Sequence, residues 1–162
     1  MPRVQLPQTW KAVRAYMAHG EAFVTLPQGG GAQLRRTEIG PITMMFNQRP
    51  AVTFYEDDAQ LLIHGPIHTT PLKGVLEYVD RVLAICVVGR RPSIVFHIMR
   101  NDRDRSAVLL RAPSEDPGKT EGDPYRLDNG HSVMIFPHEG IVKGTPWRPF
   151  GCAGTDTCEC SY

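Results

Sequence analysis

ITMMFNQRPAVTFYEDDAQLLIH, residues 42–64, is the stretch on which the fold turns. Three short runs rich in β-branched and aromatic residues, 42–46, 51–55 and 60–64, follow one another in quick order. Their separators, Asn47-Gln48-Arg49-Pro50 and Glu56-Asp57-Asp58, are polar and of hairpin length, so the segment predicts an antiparallel meander.

Downstream, Thr70-Pro71 offers an N-cap hydroxyl followed by a proline at the first helical position. Leu72, Val75, Leu76, Val79, Val82, Leu83 and Cys86 then form one apolar stripe at helical spacing, with Lys73, Glu77, Asp80 and Arg81 facing away. Gly89 and Pro92 bracket the end of that helix. Two β-rich runs, 93–99 and 106–112, are joined by Arg100-Asn101-Asp102-Arg103-Asp104-Arg105, which predicts a long hairpin with a charged tip. Residues 113–124 have the composition of an exposed, mobile loop. Asp128-Asn129-Gly130 is a turn signal that predicts a further hairpin between 125–127 and 132–136. Beyond Pro137, glycine or proline at 140, 144, 146, 149, 151 and 154 argues against regular elements.

Upstream, residues 8–19 place Trp10, Val13 and Met17 at helical spacing, with Gly20 where a left-handed cap belongs. Residues 21–26 and 33–39 read as short strands around the Gly29-Gly30-Gly31 loop. The order is one helix, about five strands, a second helix and four strands. That is an α+β domain: an antiparallel sheet, meander plus hairpins, packed on two helices, with an irregular C-terminal tail. The expected division is a domain over 1–136 and a Gly/Pro/Cys-rich tail over 137–162 that packs on the domain or on a partner.

Composition sets the outer limits. The chain has 162 residues, 18 Lys plus Arg against 17 Asp plus Glu, and 41% apolar side chains, enough for a real core. A net charge of +1 argues against a surface that is basic all over. The longest apolar run, 82–88, is far short of the ~20 residues a membrane helix needs. The opening residues lack the apolar core of a secretory signal, so a cytoplasmic protein without a membrane partner is expected. Arginine outnumbers lysine 14 to 4. A GC-rich genome accounts for that bias; so would a need for forked contacts to phosphate or carboxylate.

Few places could carry chemistry. Cys152, Cys158 and Cys160 crowd the C-terminus, and with His138 or His131 they could supply four ligands to zinc. Their spacing is not that of a zinc knuckle, and free thiols or a disulfide remain as readings. His64 and His68 flank Pro66 on a loop, where capping or packing is their ordinary use. Glu56-Asp57-Asp58 reads as a solvated acidic turn. No nucleophile elbow, phosphate loop or dinucleotide fingerprint is present. The stronger binding candidate is the arginine set: Arg100, Arg103 and Arg105 at the hairpin tip, Arg90 and Arg91 before it, and Arg35-Arg36 on an earlier strand. Asp102 and Asp104 weaken the field at the tip, and a self-paired, solvated turn is the competing reading.

Arg49-Pro50-Ala51-Val52, Tyr55 and His68-Thr69-Thr70 ahead of an amphipathic helix resemble small uncharacterised proteins of bacteriophages and their hosts. The resemblance spans a quarter of the chain. It implies a mobile-element setting and carries no activity.

The expectation is therefore a non-enzymatic accessory protein that binds a macromolecule, nucleic acid or protein, through its sheet face or the 100–105 hairpin, with no obligatory cofactor. A virion or assembly component ordered by neighbouring copies, as a homo-oligomer, is the second reading. A small zinc- or thiol-dependent enzyme is the third.

Overall fold

Thr9 caps the first helix as the residue type demands: its hydroxyl accepts from the Ala12 amide at 3.2 Å, and the helix runs only to Tyr16. In the computed structural model that shows this, the described residues are 6–18, 20–26, 32–36, 40–65, 73–86, 94–100, 107–113, 124–128 and 130–146. The order is α1 (Trp10–Tyr16), β1 (Phe23–Thr25), β2 (Ala32–Arg36), β3 (Ile42–Phe46), β4 (Arg49–Phe54), a 3₁₀ turn (Glu56–Asp58), β5 (Leu61–His64), α2 (Lys73–Ile85), β6 (Ile94–Arg100), β7 (Ala107–Pro113), β8 (Tyr125–Arg126), β9 (Ser132–Phe136) and β10 (Ile141–Lys143). The α+β class expected from the sequence is what the chain builds.

The meander is present, with a tighter first turn than expected. Only Asn47 and Gln48 lie outside the strands, both at positive φ (46° and 64°), the geometry that matches the twist of a two-residue hairpin. Arg49 and Pro50 belong to β4 instead of the turn. The register shifts between Met44 and Met45, and Pro50, which has no amide hydrogen to give a ladder, sits at that irregularity.

Three expectations are corrected. The strands divide into two antiparallel sheets, a seven-stranded one in the order β1-β2-β3-β4-β5-β9-β10 and a three-stranded one in the order β6-β7-β8. The hairpin predicted around residues 128–130 does not form, because β8 pairs with β7 while β9 pairs with β5. The chain passes there from one sheet to the other. Finally, regular structure continues past residue 136: the Glu139 and Gly140 amides both donate to the Phe136 carbonyl, closing a β9–β10 hairpin. Pro137 opens the turn of that hairpin and Pro146 follows it, and neither interrupts its strands. A bridge between Tyr125 and Pro146, with the Arg126 amide donating to the Thr145 carbonyl at 2.8 Å, joins the two sheets.

Alternation along the strands makes one face of the large sheet the core face. Register aligns Val24, Leu34, Met44, Val52, Ile63 and Val133 in one row, and Ile42, Phe54, Leu61 and Ile135 in the next. All are buried except half-buried Val24. Trp10, Val13 and Met17 of the α1 region and Val75, Tyr78, Val79, Val82, Leu83 and Cys86 of the α2 region belong to the same cluster, joined by Phe96 and Leu109 of the small sheet. Asp80, expected to face solvent, instead accepts from the Ile98 amide at 3.3 Å and ties α2 to β6.

Candidate functional site: the open face of the sheet

Because side chains alternate, the same register that fills the core places a second row on the opposite face. Phe23, Arg35, Thr43, Thr53, Leu62, Met134 and Lys143 are consecutive cross-strand partners, one from each of the seven strands. At the usual strand separation, six intervals make this row about 29 Å long. Its two ends are exposed: Phe23 retains 45% of its accessible area, and Arg35 and Lys143 are also exposed. Thr43, Leu62 and Met134 are half-buried, and Thr53 is buried.

Each end carries a cation against an aromatic ring. The Arg35 guanidinium lies 5.8 Å from the Phe23 ring centroid, and the Lys143 ammonium lies 5.5 Å from that of Phe136. Between them runs a polar chain: Thr43 Oγ1 is 2.8 Å from Thr53 Oγ1, which is 2.6 Å from His64 Nε2. Burial lowers the His64 pKa, so the imidazole is held neutral near pH 7 and the hydrogen bonds of the chain can run in either direction. The strands of the large sheet contain Arg35, Arg36, Arg49 and Lys143 and not one aspartate or glutamate. In a chain of net charge +1, that concentrates positive charge on the sheet.

The arginines named from sequence separate in space. Arg35 lies on the open face. Arg36, one residue on, is a register partner of Ile42 on the core side; it is half-buried, and its Nε has no hydrogen-bond partner among the described residues. Arg100 ends β6 on the small sheet, while Arg90, Arg91, Arg103 and Arg105 lie outside the described residues. So do Cys152, Cys158 and Cys160. Of their suggested histidine partners, His138 is exposed, with Nε2 3.3 Å from the Asp57 carbonyl oxygen. His131 Nδ1 lies 2.8 Å from Asp128 Oδ1, close but without hydrogen-bond alignment. Among the described residues no three His, Cys, Asp or Glu side chains are grouped to hold a metal ion, and no helix is long and apolar enough to cross a membrane.

Sequence reasoning passes over Phe23, Phe136 and Lys143. Phe23 lies in a strand paired to its neighbour β2, and Phe136 and Lys143 lie in the β9–β10 hairpin; only the long-range pairing of β5 with β9 brings the two ends onto one face. Comparison with protein-family models, with curated proteins and with solved structures finds no match to this chain.

Proposed function

We propose that the protein is a non-enzymatic nucleic-acid-binding accessory protein that lays a single strand across the open face of its seven-stranded sheet. The observation that carries this reading is the Phe23-to-Lys143 row: cation-aromatic pairs at both ends and no carboxylate on any strand of the sheet. The exposed Phe23 ring and the half-buried Phe136 ring offer stacking surfaces to unpaired bases, and the flanking cations neutralise phosphates without reading sequence. A row of about 29 Å suits the short site sizes, about four nucleotides upward, that sheet-based single-strand binders use. The hydroxyls of the central polar chain add hydrogen-bonding capacity along the path. The mobile-element setting implied by the resemblance at residues 49–52, 55 and 68–70 would supply a context in which single strands arise.

Fluorescence anisotropy with a labelled oligothymidylate tests the reading. Affinity should fall steeply with added salt. Arg35→Glu or Lys143→Glu should weaken binding at least tenfold and flatten the salt slope by about 0.7 for each phosphate no longer neutralised. Phe23→Ala should cost about 1–3 kcal/mol, the worth of one stacked base. Arg103→Glu is the comparison that separates the sheet face from the hairpin tip. Salt-independent binding, or full affinity in Arg35→Glu and Lys143→Glu, would retire the proposal.

A second reading is favoured by the sheet's edge. Among the described residues strand β1 pairs with β2 alone, and its exposed Phe23 makes an edge to which another copy could add. Sedimentation that shifts with concentration, and ceases to shift in Phe23→Lys, would support self-assembly.

A further inference from the structure

A cleft of about 400 Å³ opens on the far side of the β4–β5 hairpin from the open sheet face, between the residues leading into α1, the C-terminal end of α2 and the β9–β10 turn. Its walls are chiefly apolar: Phe54, Leu61, Val82, Ile85 and Pro137, with the Cys86 thiol among them. Burial, and secondarily the Asp58 carboxylate, push that thiol up to about 11, so it stays protonated and adds a soft, unreactive surface.

Four further groups give the cleft its polarity, and three are already engaged. The Thr9 hydroxyl caps α1, Asp58 Oδ1 accepts from the Trp10 amide at 3.1 Å, and His138 Nε2 contacts the Asp57 carbonyl. The fourth is Gln8, whose Nε2 is buried without a hydrogen-bond partner among the described residues. A buried amide donor left unpaired is costly, and an acceptor lodged in the cleft would relieve that cost. Asp58 meanwhile disfavours any anion in the same space. A space of this volume with apolar walls and few polar groups is the ordinary form of a small-molecule site.

We infer that this cleft binds a neutral, largely apolar small molecule through a carbonyl-type oxygen that accepts from Gln8 Nε2. The site is separate from the nucleic-acid surface and does not depend on it. The test uses a neutral dialkylamino-naphthyl ketone, whose emission reports both polarity and hydrogen bonding at its carbonyl, alongside an anilinonaphthalene sulfonate of similar ring size.

The ketone should bind saturably at one site per chain with blue-shifted emission, and at least tenfold more tightly than the sulfonate. Gln8→Leu should weaken the ketone about tenfold while leaving the sulfonate unchanged. Asp58→Asn, which keeps the acceptor for Trp10, should narrow the gap between the two probes. Ile85→Trp fills the cleft from its half-exposed rim and should abolish binding; His138→Trp, on an exposed turn, does the same should Ile85→Trp fail to fold. Absence of saturable ketone binding to the folded protein, equal affinity for the sulfonate, or full affinity in a folded cleft-filling variant would overturn the inference.

Discussion

The Tyr78 hydroxyl donates to the Pro7 carbonyl oxygen at 2.6 Å, joining the middle of α2 to the segment that leads into α1 across 71 residues of chain. Tyr78 is fully buried, its ring packs on Phe46 with centroids 5.5 Å apart, and burial drives its pKa well above the normal phenol range. The bond also sets the position of Gln8, the next residue along and part of the cleft. Tyr78→Phe keeps the ring and strands the Pro7 carbonyl, so it should cost about 1–2 kcal/mol. Thermal denaturation should register a Tm lower by roughly 2–8 °C. An unchanged Tm would mean the carbonyl finds another donor.

Protonation of His64 should destabilise the fold. Its folded pKa lies below the unfolded value of 6.5 because burial disfavours the cation. The unfolded chain therefore binds more protons in the window below about 6.5, and stability present above that pH is lost as pH falls toward the folded value. The charged ring would also fix Nε2 as a donor to Thr53, removing one of the two directions in which the Thr43–Thr53–His64 chain can run. Urea denaturation between pH 7.5 and 5 should show a declining midpoint, and His64→Gln should flatten that decline. Equal slopes in both proteins would assign the effect to other groups.

Gly65 and Gly130 should respond very differently to alanine. A Cβ on Gly65 would be driven into the carbonyl oxygens of Leu127, Asp128 and His131, all backbone atoms that cannot swing away. The Gly65 amide donates to that same His131 carbonyl at 2.9 Å, so the approach is part of how β5 meets the segment that switches sheets. Gly65→Ala should cost more than about 3 kcal/mol or prevent folding. Gly130 faces open space and needs only its positive φ of 82°, so Gly130→Ala should cost about 1 kcal/mol. Similar losses at the two sites would contradict the packing at Gly65.

Cys86 should alkylate slowly in the folded protein. With its pKa moved from 9.0 to about 11, the thiolate fraction at pH 8 falls about 100-fold, before any reduction in access is counted. Iodoacetamide labelling followed by peptide mass analysis should show Cys86 modified rapidly only in denaturant. Fast labelling without denaturant would place the thiol in an open, wetter site.

Local patterns are legible wherever neighbours in sequence are neighbours in space. The stripe on α2, the helix that starts at the Thr9 cap and the succession of β3, β4 and β5 all follow from spacings of a few residues. Tyr78 escapes a reading by spacing because its hydroxyl argues for solvent, and its acceptor on Pro7 lies too far along the chain to be foreseen. The 128–130 turn misleads for the opposite reason: its own chemistry is sound, but β5 supplies the partner that β9 takes, and β7 the one that β8 takes.

Taken alone, the order of residues determined the class of fold, the helix that crosses the core and the meander beside it, because period and turn chemistry act over short range. It did not determine which strands share a sheet, that Phe23 and Lys143 end a single row, or that Gln8 and Cys86 wall one cleft. Those were decided by the tertiary structure, since register and long-range packing depend on all the strands at once and shift whole faces with a single residue of slip.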